Sequence, residues 1–163
     1  MTAEAIDQST REWTYEPDRA RGEASVTAFS HGSEAILTAD GFSWRTDLPT
    51  ELGGSNHAAS PTHMLLGALA GCAVVVIRDT LAPQLGIPVD AVEATASCAT
   101  DARGVLGMDG VKPDLRKLHL DVRITSPMGA AAVDQLGDAW QERSPIILSF
   151  SKPVELTLVF TAV

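Results

Sequence analysis

The stretch Met64–Ile77 carries no polar side chain apart from the thiol of Cys72, and Arg78-Asp79 closes it. A chain must hide such a run. A bilayer span takes about 20 apolar residues, and this run has 14, so it reads as a helix buried in a protein core. Ser60-Pro61 supplies the start. A serine side chain accepts hydrogen bonds from the free N–H groups of a first turn, and a proline loses nothing at the first helical position. Pro83 and Gly86 supply the stop, so the helix is expected from Ser60 to about Leu81. The β-branched residues within Ala73–Ile77 argue locally for a strand. Length decides for the helix, because the apolar run exceeds one strand.

Around this helix the pattern changes to short alternations. Val26, Ala28, Ala35, Ile36 and Leu37 surround the turn signal Ser30-His31-Gly32-Ser33, and Ala39-Asp40-Gly41 leads into Phe42-Ser43-Trp44-Arg45. These are short antiparallel strands joined by tight turns. Asp47 to Ser60, with Pro49, Gly53, Gly54 and Asn56, is an irregular crossing segment. Beyond the helix, Val92, Ala94, Ala96 and Cys98 share one face of a strand within Pro88–Thr100. Asp101–Pro113 reads as a glycine-rich hairpin loop, and Leu118, Leu120, Val122 and Ile124 alternate with polar residues on the returning strand. Ser126-Pro127 repeats the helix-start signal, and the second helix is expected to run to about Arg143, with Ala131, Ala132, Leu136, Ala139 and Trp140 toward the core. Ser144-Pro145 is a turn, and a last strand runs from Val154 to Phe160. The order is that of an α+β fold with antiparallel sheet.

The 163 residues suit one domain over 21–163, preceded by a flexible polar segment, 1–20. The net charge of −9 argues against nucleic acid as a partner, since phosphate binding needs a basic face. The N-terminal stretch lacks the apolar core of a signal peptide. A cytoplasmic protein with no membrane partner is the expectation.

Two cysteines, Cys72 and Cys98, are too few for a disulfide framework and do not form a C-x-x-C zinc pair. His31, His57, His63 and His119 follow no ligand spacing, so no metal and no cofactor are expected. Cys72 sits among Gly67, Ala68, Ala70, Gly71 and Ala73, a composition that suits close helix contact. Its thiol is then either packing or chemistry, and the residues leave both open. His63 cannot serve it within one helix. Nine residues apart, the two lie about 13.5 Å apart along the axis and on opposite faces. Ser144 lacks the G-x-S-x-G setting of a hydrolase nucleophile.

The residues Ser60-Pro61 and Leu65-Leu66-Gly67-Ala68-Leu69-Ala70-Gly71-Cys72, with Val92 through Asp101-Ala102-Arg103-Gly104 and with Lys152-Pro153-Val154, resemble the OsmC/Ohr family of small thiol peroxidases. The resemblance covers roughly residues 24 to 160. It implies an OsmC-like fold: an intertwined homodimer whose long central helix is buried and wrapped by antiparallel sheets from both chains. It also implies a reactive thiol on that helix, at the subunit interface, that acts on organic hydroperoxides. Cys72 matches that thiol. The family's second cysteine opens a Cys-Pro pair after the second helix, where this chain has Ser144-Pro145. The family's activating glutamate stands ten residues before the cysteine, where this chain has Thr62. Its activating arginine lies in the first hairpin, where Phe29-Ser30-His31-Gly32 holds none.

A sulfur among aliphatic neighbours resists ionisation unless a cation stands beside it. The resemblance therefore leaves two main functions. One is a one-cysteine peroxidase, in which Cys72 is oxidised and an external thiol restores it. The alternative is a non-catalytic homodimer that holds an apolar small molecule in its interface pocket. A hydrolase built on the histidines is a third. Accessory candidates are Cys98 as a substitute second thiol, His57 and His63 near the helix start, Thr62 and Ser144 at the altered positions, and Glu51, Arg45, Arg19 and Arg21 as replacement charges.

Overall fold

In the computed structural model, which describes residues 3–162, Ser60 caps the central helix as its sequence predicts. Its Oγ accepts from the His63 N–H at 3.4 Å, and Pro61 occupies the first turn. The helix α2 runs Pro61–Val76, passes through one wider π turn at Ile77–Leu81, and ends as the short α3, Ala82–Leu85. It thus reaches Leu85 rather than Leu81. Pro83 does not stop it, because the π turn has already shifted the backbone bonding, with the Ala82 N–H bonded to the carbonyl of Ile77. Gly86 stops it at φ +64°, with Gly86 and Ile87 N–H groups closing back on Pro83 and Ala82.

The chain forms two antiparallel sheets, of which the second packs against this helix. The first joins β1 (Thr27–His31), β2 (Glu34–Ala39) and β3 (Phe42–Thr46) in chain order. Asp40 and Gly41 both have positive φ, the backbone a two-residue hairpin needs between β2 and β3. The second sheet pairs β4 (Ala91–Ala99) with β5 (Arg116–Thr125). Its register slips between Ser97 and Ala99, where Lys117 adopts φ +54°. Cys98 therefore sits opposite a bulge. The connecting segment, expected as a glycine-rich hairpin loop, contains a single helical turn, α4 (Ala102–Val105), capped by the Asp101 side chain.

The core lies between α2 and the second sheet. Leu69, Ala73, Ile77 and Leu81 form a stripe at four-residue spacing along one face of the helix. They meet Leu136, Ala139 and Trp140 of α5 (Ala130–Arg143) and the inward side chains Val92, Ala94, Ala96, Leu120, Val122 and Ile124. This burial overrides the strand preference of the valine run. Of the residues expected in the core, Ala131 is exposed, while Ala132 is buried as expected. Ser126-Pro127 does not start α5; Gly129 is its first boundary residue. Ser126 instead donates its hydroxyl to the Pro88 carbonyl, tying the end of β5 to the start of β4.

Both ends of the chain carry further elements. Residues Ala3–Tyr15 form a helix, α1, in which Ile6 is the one buried side chain among those described, and a 3-10 turn follows at Pro17–Ala20. Ser144-Pro145 is not a plain turn but opens a further helix, α6 (Pro145–Ser151). Beyond it, residues 153–162 join no strand ladder within this chain. Val154, Leu156, Leu158 and Phe160 keep their alternation but are 65% to 91% exposed.

Candidate active site

Ser144 occupies a corner. Its N–H closes the last turn of α5 on the Trp140 carbonyl at 2.8 Å. Pro145 has no N–H to continue that helix and forces its predecessor out of helical geometry, and Ser144 accordingly adopts φ −73° and ψ 116°. The chain restarts as α6, with the Ser144 Oγ accepting from the Ile147 N–H at 3.3 Å. Ser144 is fully buried at this corner. There its Oγ lies 3.3 Å from the Sγ of Cys72, across 72 residues of chain.

Cys72 is half-buried on α2, and both cysteines are free thiols. Among the described residues, Ser144 is the only side chain with a hydrogen bond to its sulfur; no Arg, Lys or His donates to it. The other sequence candidates fall elsewhere. His63 is exposed and shares a 2.8 Å bond with Ser60 through Nδ1. Glu51 is exposed in a one-turn 3-10 helix, Thr50–Leu52. Thr62 lies in the first turn of α2, ten residues before Cys72. Cys98 is half-buried on the second sheet and bonded to no other thiol. Arg19 pairs with Glu16 at 3.3 Å and Arg21 with Asp18 at 2.8 Å, both at the surface. His119 points outward, as its alternation predicts.

A second cluster surrounds the segment that feeds α2. The Asp47 carboxylate is buried and accepts N–H groups of Leu48 at 2.7 Å, Ser55 at 3.1 Å and His57 at 3.0 Å. The His57 N–H, with those of Leu48 and Ser55, holds this carboxyl below the usual carboxylate range, against the opposing effect of burial. Gly54 permits the close approach, since a Cβ there would collide with the Leu48 carbonyl and the Asp47 side chain. Glu34 receives Arg45 at 2.9 Å, and its other oxygen stands 3.7 Å from His57 Nδ1. Glu34, Asp47 and His57 bring ligand-type atoms within 4.8 Å of one another. The donor set is one a divalent cation accepts, yet Asp47 is engaged by three backbone donors and Glu34 by a guanidinium, so the charges are met within the protein. Sequence reading missed this knot. Its one legible sign was an aspartate ahead of the closely spaced Gly53, Gly54 and Asn56.

Two of the chain's cavities matter here, and the first borders the Asp47 cluster. One of about 430 Å³ lies between the β1–β2 turn and the start of α2, with Phe29, Glu34, Asp47 and Pro61 among its walls. The other, about 700 Å³, has apolar walls from Leu120, Val122 and Trp140 and polar ones from Asp134, Asp138 and Gln141, and neither Cys72 nor Ser144 lines it.

The sequence profile of the family described as OsmC-like protein matches residues 53–159. The chain belongs to the OsmC-like protein family. Solved structures share its fold at low identity. An OsmC-like protein from Mycoplasma pneumoniae is 19% identical with a TM-score of 0.67, over 81% of this chain and 89% of that one. An organic hydroperoxide resistance protein from Legionella pneumophila is 21% identical with a TM-score of 0.60, over 79% and 89%. An organic hydroperoxide resistance protein from Elizabethkingia anophelis, with thiocyanate bound, is 16% identical with a TM-score of 0.61, over 83% and 92%. No curated protein matches the chain. In this OsmC-like chain the profile takes in α2, Cys72 and Ser144 but leaves out the first sheet and α1.

Proposed function

We propose that this OsmC-like protein is a cytoplasmic, homodimeric thiol peroxidase of one-cysteine type that reduces organic hydroperoxides through Cys72. The observation that carries the reading is the contact between Cys72 Sγ and Ser144 Oγ at 3.3 Å. The sulfur stands on the core helix, and the residue at the family's second-cysteine position faces it. A hydroxyl cannot close a disulfide. The thiolate therefore takes one oxygen from the hydroperoxide, becoming a sulfenic acid and releasing an alkoxide that water protonates. An external thiol condenses with the sulfenic acid, releasing water and leaving a mixed disulfide. A second thiol then frees Cys72.

The homodimer is supported by surface left bare in one chain. Pro61–Leu85 is long and apolar enough to cross a membrane, yet only 22% of its most apolar window is buried within this chain. The uncovered alternating segment from Val154 to Phe160 adds to it. A second copy that covers both would complete the core.

One observation favours the alternative, a non-catalytic dimer that holds an apolar small molecule: no cationic side chain donates to Cys72 among the described residues. Consumption of cumene hydroperoxide with a dithiol reductant separates the two. Cys72-dependent consumption, lost in Cys72→Ser, supports the peroxidase. Equal rates in both proteins overturn it and favour the binding role.

A further inference from the structure

We infer that Ser144 is a positioning residue for the sulfur of Cys72: its buried hydroxyl donates to Sγ and stabilises the thiolate, with the cap of α6 fixing the hydroxyl's direction. The inference rests on the peroxidase reading for its purpose but not for its geometry. A fully buried hydroxyl has one proton to place and lone pairs to satisfy. Ser144 meets the acceptor requirement with the Ile147 N–H, at 3.3 Å. Its proton then needs an acceptor, and among the described residues the only other atom in hydrogen-bond contact with Oγ is Cys72 Sγ, at 3.3 Å. Sulfur accepts weakly as a thiol and strongly as a thiolate, because charge on the acceptor strengthens the bond. The donor therefore favours the anion.

The corner supplies the rigidity such a role requires. Ser144 is tied through its N–H to Trp140, through its carbonyl to the Leu148 N–H at 3.1 Å, and through Oγ to Ile147. Pro145 removes the choice of continuing α5. The hydroxyl thus reaches the sulfur already oriented, and a neutral donor supplies part of what an adjacent cation would otherwise provide. A sulfenate oxygen formed on Cys72 would lie within reach of the same hydroxyl.

The test is the rate at which iodoacetamide alkylates Cys72 near neutral pH in the full-length chain, with Cys98→Ser as the background so that one thiol is counted. Ser144→Ala removes both donor and cap. Ser144→Gly removes the donor but retains most of the capping, since glycine is tolerated at that position. Ser144→Thr keeps both. Loss of a hydrogen bond to a charged group is expected to slow alkylation about tenfold in the Ala and Gly variants, with Thr close to the parent. Alkylation of Gly and Ala variants at the parent rate would overturn the inference, as would slowing in Ala alone, which would assign the effect to the cap. Hydroperoxide consumption is read separately. A parent that consumes none but shows the alkylation pattern loses the peroxidase reading and keeps the role of Ser144.

Discussion

At the scale of single residues, Asp47 and Ser144 do the same kind of work: each satisfies backbone groups that a bend would otherwise strand. Asp47 collects three N–H groups of the segment before α2, so Asp47→Ala is expected to lower the melting temperature and to expose residues 48–59 to limited proteolysis. Unchanged cleavage there would remove this role. Asp101 is a second depressed carboxyl, held down to about 2 chiefly by the Arg103 side chain, which bonds it at 2.6 Å and 2.9 Å. A folded-state value below the unfolded one means that the stabilisation is complete above the ordinary carboxylate range, near pH 4. It is lost as pH falls toward about 2. Asp47 shifts in the same direction. Asp101→Asn should therefore flatten part of the acid limb of a plot of melting temperature against pH, without altering the neutral plateau's shape. At Ser144 the 3.3 Å contact predicts that Ser144→Cys, mildly oxidised, forms an internal bond with Cys72. Mass spectrometry of the unreduced chain, showing loss of two hydrogens, checks it.

At the scale of elements, α2 gains its stability from one stripe. Leu136 of α5 packs into that stripe and is fully buried. Leu136→Ala is expected to cost about 2–5 kcal/mol in urea denaturation, because the cavity it leaves cannot collapse completely. The helix boundaries show how far sequence reaches. Ser60-Pro61 was legible because capping is local chemistry. Ser126-Pro127 carries the same two residues and starts no helix: its Oγ accepts the Met128 N–H in a turn and donates to Pro88, and the helix begins only after Gly129. Pro83 looked like a stop and is carried through by the π turn. The strand alternations of β4 and β5 needed only the two-residue period, whereas the bulge opposite Cys98 depends on the partner strand and left no local sign.

At the scale of the whole molecule, the chain has more apolar surface than it covers. Two features stand out: α2, mostly bare for its composition, and the C-terminal segment. If a second copy covers them, light scattering on the eluted protein should give twice the chain mass. Leu156→Asp with Leu158→Asp should then shift it to monomer or aggregate, since a charge cannot be buried there unpaired. A monomeric parent, or a doubly substituted chain that remains a dimer, would contradict the proposed assembly.

Sequence by itself determined the α+β class, the core helix with its cap and the alternating strands. Each follows from periods of two or about 3.6 residues or from groups a few residues apart. Only the tertiary structure decided that Ser144 faces Cys72, that Asp47 gathers its segment, and that His57 meets Glu34 rather than the thiol. Those contacts join residues with no common period, brought together by how α2, α5 and α6 pack and how the crossing segment folds. No local rule encodes a distance of that kind.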